Sequence, residues 1–156
     1  MKRSLTCLIG VLCLALLLGG VALADEMTWA QLQTAINDAA NGATITLTSQ
    51  VTADVDHGDT ALVIPSGKNI TLDLNGNLLW RKAIGTEPSA NGSVIQVKQG
   101  ATLTIVDSVG GGRVAGGSTL NGGGIYNQGT LTLNGVWIGG DRPSLANKTS
   151  FGGAGV

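Results

Sequence analysis

The sequence predicts an all-β parallel solenoid headed by a single α-helix. Three observations carry this. After Gly42 the apolar pattern switches from a helical period to strict alternation. One alternating strand then recurs four times at nearly constant spacing. The chain also has 25 glycines, 12% charged and only 3% aromatic residues, so Val, Ile, Leu and Ala must fill the core while glycine turns the corners.

The first segment reads as a leader. Lys2 and Arg3 precede an apolar run from Leu5 to Leu18, and Ala22-Leu23-Ala24 offers a small-x-small cleavage site. The run is short for a membrane span of about 20 residues, and no cationic stop follows. Residues 1–24 are therefore expected to be a signal peptide, 25–42 a capping helix, and 43–156 a β-helix truncated at its C-terminal end. Cleavage leaves 132 residues with 7 basic and 10 acidic side chains. That mild acidity gives no electrostatic footprint for nucleic acid. Cys7 and Cys13 leave with the leader, so the mature chain has neither thiol nor disulfide.

Thr28 to Ala40 reads as the helix. Thr28 and Gln31 form a capping box, and Trp29, Leu32, Ile36 and Ala39 make one apolar stripe. Asn41-Gly42 is expected to stop it. The stripe would close the first coil like a lid.

The strand repeat follows. Thr44 to Thr48, Asn69 to Leu74, Ala101 to Ile105 and Gly129 to Leu133 alternate apolar residues with Thr or Asp. Leu47, Leu74, Ile105 and Leu133 are expected to form one column, at spacings of 27, 31 and 28. Before each later strand comes an apolar piece, Leu62 to Ile64, Val94 to Val97 and Gly124 to Asn127, joined through Ser66-Gly67, Gln99-Gly100 and Gln128-Gly129. After each comes a polar corner and another short piece, Leu78 to Trp80, Arg113 to Ala115 and Val136 to Ile138. Three short strands per period describe one coil, and about four coils fit. An antiparallel meander would also use the Asn-Gly pairs, but it does not require recurring neighbours.

Leu120 to Gly129, followed by Thr130 to Val136, resembles the repeat of bacterial surface proteins with a right-handed, single-stranded parallel β-helix. These are the pectate-lyase-like polymorphic outer-membrane and adhesin-like proteins. Trp29 to Leu47 is similar to their N-terminal cap, and Ile64 to Gly76 to their first full coil. The resemblance implies a secreted or cell-surface, non-enzymatic protein that displays loops to a host or cell-surface protein or glycan. The inserts 81–93 and 139–151 are the expected recognition loops. Gly152 to Val156 looks like the start of a further unit.

The candidate chemistry is sparse. Asp54, Asp56 and Asp59 form an acidic cluster that suggests weak Ca²⁺ binding, although Gly58 and Pro65 break the EF-hand spacing. His57 is the sole histidine, so zinc catalysis is not expected. A carbohydrate-active alternative needs two carboxylates across one groove, and Asp73 and Asp107 are the candidates on adjacent coils. No nucleophile–base pair or phosphate loop appears, and no catalytic or cofactor residue is assigned. Trp80, Tyr126 and Trp137 are candidate surface-binding aromatics. Outward Thr46, Thr71, Thr102 and Thr130, beside Thr48, Asp73, Thr104 and Thr132, suggest an ice-binding ladder as a third reading. An open C-terminal edge beyond Val136-Trp137-Ile138 is expected to favour end-to-end self-association.

Overall fold

The computed structural model describes residues 26–83 and 87–156. The leader expected over 1–24 lies outside the described residues. The rest begins with α1 (Trp29–Asp38), followed by β1 (Ala43–Thr46), β2 (Val51–Thr52), β3 (Leu62–Ile64), β4 (Asn69–Asp73) and β5 (Leu78–Trp80). Next come β6 (Ile95–Val97), β7 (Thr102–Val106), β8 (Arg113–Ala115), β9 (Ser118–Thr119), β10 (Ile125–Asn127), β11 (Thr130–Asn134), β12 (Trp137–Ile138) and β13 (Lys148–Thr149). Every strand pairing among the described residues is parallel.

The strands sort into stacked ladders. The first sheet runs β1-β4-β7-β11, the second β3-β6-β10, and the third β2-β5-β8-β12. Each turn passes from the second sheet to the first and then the third. The first sheet thus has four rungs bounding about three turns of a parallel β-solenoid. Inside lies one continuous core in which Leu47, Leu62, Ile64, Ile70, Leu72, Leu103 and Ile105 are almost wholly buried. No helix among the described residues is long and apolar enough to cross a membrane.

The helix stands where the first rung of the second sheet would be. Trp29, Leu32 and Ile36 enter the core. The expected capping box forms, with the Gln31 amide donating to Thr28 Oγ1 at 3.2 Å and the Thr28 amide to Gln31 Oε1 at 2.8 Å. Its Gln33 side chain imitates a neighbouring strand. The Val63 amide donates to Gln33 Oε1 at 2.7 Å, and Gln33 Nε2 donates to the Val63 carbonyl at 3.0 Å. Helix and β3 edge are thereby joined, and the edge is closed to other strands. The helix ends at Asp38, earlier than Asn41-Gly42 suggested. Asn41 instead extends the first ladder: Asn69 donates its amide to Asn41 Oδ1, and Asn41 Nδ2 donates to the Gly67 carbonyl. Gln33→Ala leaves both Val63 groups without these partners, so we expect a loss of roughly 1–3 kcal/mol in urea unfolding.

Three expectations are corrected. Leu72, not Leu74, lies level with Ile105, so the central column is Ile45–Leu72–Ile105–Leu133. Leu74 lies one residue past Asp73, which is level with Val106, and its amide donates to the Val106 carbonyl. The error is two residues, which preserves the inward face. The threonine column is correspondingly Thr44–Thr71–Thr104–Thr132, with Asn69–Thr102–Thr130 on one side and Thr46–Asp73–Val106–Asn134 on the other. Finally, the inserts do not simply stand outward as loops. β9 pairs with β13, and Ser89 bridges to Thr119, so parts of both inserts stack as a fourth side of the coil. Arg81, itself buried, secures this side by donating to the carbonyls of Gly92 at 2.7 Å and Asp59 at 3.3 Å.

Candidate functional site

The third sheet sets two of the three candidate aromatics on one outward face. Along it Val51, Leu79 and Val114 point into the core, with Ile138 level with Val114, so Trp80 beside Leu79 and Trp137 beside Ile138 point out. Tyr126 lies on the second sheet, level with Gln96, and is not part of this face. Trp80 is half-covered. Its Nε1 donates to the Ser144 carbonyl at 3.2 Å, and Lys82 Nζ lies 5.8 Å from its ring centre. The insert after β12 therefore folds back over it.

Trp137 is open, with 57% of its surface exposed. One rung behind it, the Arg113 guanidinium lies 4.7 Å from the ring centre. Arg113 Nη1 is also paired with Asp141 Oδ1 at 3.1 Å. The cation fixes the indole from behind, and the carboxylate fixes the cation. The result is an aromatic platform edged by one donor group and one acceptor group. Such a platform can stack on the apolar face of a sugar ring while charged groups reach its hydroxyls. Sequence reading found Trp137 but missed Arg113 and Asp141. Their 28-residue separation, one period of the repeat, was the available signal.

The acidic cluster behaves differently. Among the described residues, no group of three His, Cys, Asp or Glu side chains is placed to hold a metal ion. Asp54 instead builds its own loop: Oδ1 accepts the His57 amide at 3.2 Å, and Oδ2 meets His57 Nδ1 at 2.7 Å. Asp59 Oδ2 accepts the Asp54 amide at 2.7 Å. Asp54 and Asp59 also line an open groove of about 560 Å³ with Glu26, Trp29, Gln50 and Thr52, whereas Asp56 does not. The hydrogen bond to His57 holds the Asp54 carboxyl below its ordinary pKa. The same bond, then the carboxylate's charge, raises that of His57.

The sign follows from linkage. The His57 contribution to loop order is complete below the ordinary histidine pKa and is lost as pH rises through the raised value. The Asp54 contribution is lost in acid, as pH falls through its lowered value. We expect the His57 ring protons to titrate above an unperturbed histidine in NMR, and Asp54→Asn to return the midpoint to the ordinary range.

Asp73 and Asp107 serve the corners. Asp73 Oδ1 accepts the amides of Asn75 at 2.9 Å and Ser108 at 3.1 Å. Asp107 accepts the amides of Gly76 at 2.7 Å and Gly112 at 2.6 Å. Burial pushes both carboxyls up, but it is outweighed. The Ser108 hydroxyl and amide, with the Asn75 amide, hold Asp73 low, and backbone amides led by Gly112 and Gly76 hold Asp107 low. A general acid in a glycosidase pair needs the opposite shift. These carboxylates join neighbouring coils through their turns.

The outward face of the first sheet carries the threonine column. Its members are exposed or half-buried. Asp73 interrupts the flanking column and turns into its corner bonds. The comparisons with known proteins add no relative: no family model, no curated protein and no solved structure matches the chain.

Proposed function

We propose that the chain is a secreted, non-enzymatic protein of a bacterial cell surface, adhesin-like and akin to the pectate-lyase-like β-helices that its repeats resemble. Its task in this reading is to bind a glycan. The observation that carries the proposal is the exposed Trp137 ring, backed by Arg113 and edged by Asp141. Recognition then sits on a stiff ladder face, where little conformational entropy is lost on binding. The test is a glycan array probed with the purified chain. Binding that falls at least tenfold in Trp137→Ala, with the melting temperature unchanged, supports the proposal. Unsaturated or reducing ends released from pectin and related polymers would favour the carbohydrate-active alternative.

A second reading draws on the threonine column. Thr44, Thr71, Thr104 and Thr132 repeat at the rung spacing of about 4.8 Å, which suits ordered water at an ice surface. Suppression of ice recrystallisation at micromolar protein, abolished by Thr104→Lys, would select it over glycan binding.

A further inference from the structure

We propose that the stacked corners after β4 and β7 form an acid-released latch: ionised Asp73 and Asp107 together hold the glycine loop 108–112 against the coil, and protonation of the pair lets it go. This does not rest on the glycan reading. The argument is that the bonds cross. Each carboxylate accepts one amide from its own corner and one from the neighbouring corner. Asp73 Oδ1 takes the amides of Asn75 and Ser108. Asp107 takes the amide of Gly112 at Oδ2 and that of Gly76 at Oδ1. Neutralising either acid therefore loosens both corners.

The loop has little else to order it. Gly110 and Gly111 are left-handed, and three successive glycines are costly to fix. Val109 is exposed. Among the described residues, no backbone carbonyl accepts an amide of 108–112. Those of Ser108 and Gly112 go to the two carboxylates, and those of Val109 and Gly110 also turn toward Asp107. The joint one coil earlier is built differently. There Asn75 Nδ2 and Asn77 Nδ2 donate to the Leu47 carbonyl at 3.0 and 3.1 Å. That joint carries no ionisable group, so acid opens one joint and spares the next.

No cation shares the corner. The segments that meet there, 47–50, 74–77, 107–112 and 134–136, bring no charged side chain except Asp107. Arg113 follows the loop but is engaged by Trp137 and Asp141. The charge facing Asp73 is Asp107 itself, and the amides outweigh this repulsion. Both carboxyls are held below their ordinary value, so the latch is complete above the ordinary aspartate range and is lost as pH falls through the lowered values. Once the first proton opens the corner, the second carboxyl returns to its ordinary value, above the prevailing pH, and protonates too. Release therefore takes up two protons.

NMR of the labelled chain, followed from about pH 6 to about pH 2, tests it. Backbone order over 108–111 should collapse at the pH where the Asp73 and Asp107 carboxyl carbons titrate, with two protons taken up. The β4–β7 ladder and the Asn75 and Asn77 side-chain bonds to Leu47 should persist through that step. Asp107→Asn sets an amide donor against the amide of Gly112 or Gly76, so its loop should be mobile at neutral pH and indifferent to acid. Loop order that survives titration of both carboxyls overturns the proposal. So does loop order lost only when β4 and β7 themselves unfold, or an Asp107→Asn loop that is ordered at neutral pH and melts in acid as before. The titration of the unaltered chain decides even where the variant does not fold.

Discussion

Leu103→Ala will destabilise the chain by about 2–5 kcal/mol, a large share of the roughly 5–15 kcal/mol that holds a domain folded. Leu103 sits at the middle rung with no exposed surface, level with Ile70 on one side and Leu131 on the other. Alanine there leaves a cavity walled by rigid ladders on both sides, which cannot collapse inward without breaking backbone pairs. The residues described contain no cysteine, so no disulfide among them offsets the loss. Leu133→Ala is the matched control. It lies on β11, the last described rung of the first sheet, and is partly exposed, so it should cost less than about 1 kcal/mol because solvent already reaches it. Urea unfolding followed by far-UV circular dichroism reads both. Equal losses at the two positions would show that the core is not graded along the axis.

Gly92→Ala should be as damaging, for the opposite reason. A Cβ at this position would land on the Ser118 carbonyl oxygen, which belongs to backbone. Gly92 cannot retreat. Its carbonyl accepts the Ser118 amide at 2.9 Å and Arg81 Nη1 at 2.7 Å, and its own amide donates to Ser89. One methyl therefore pushes the first insert off the fourth ladder and uncovers a buried arginine. A loss of roughly 3 kcal/mol is expected, at the upper end for overpacking. Gly67→Ala is the comparison. Nothing lies near its Cβ, but its φ of +78° is left-handed, so it pays only backbone strain of about 1 kcal/mol. Thermal melts of the two variants separate packing from conformation.

The helix, the strands and the parallel stacking were legible because alternation and capping are local signals. Thr28 and Gln31 do what their spacing requires, and the threonine positions face out. The register was not, and the reason is visible at the corners. Matching the last apolar residue of each alternating run pairs Leu74 with Ile105, because the alternation through β4 carries on past Asp73 to Leu74. The polar corners Asn75-Gly76 and Asp107-Ser108, 32 residues apart, do not give the register either. They are not level. The Ser66-Gly67 and Gln99-Gly100 turns are: Gly67 donates its amide to the Gly100 carbonyl. Matching those turns gives the true 33-residue offset between β4 and β7. The fourth ladder had a signal too. Ser89 to Gly92, Thr119 to Gly122 and Thr149 to Gly152 recur at 30 residues, but two-residue strands are too short to show a period of two. The Arg113–Trp137–Asp141 grouping joins two stretches of the chain one repeat period apart, and it becomes readable only once the register is known.

Parallel pairing in this register is the claim on which the rest stands, and NMR of the labelled chain tests it most directly. Backbone contacts should connect Thr44 with Thr71, Thr71 with Thr104, and Thr104 with Thr132, without the short Hα–Hα contacts of antiparallel neighbours. Short Hα–Hα contacts between any of these strands, or contacts linking Leu74 to Ile105 in place of Leu72, would contradict it.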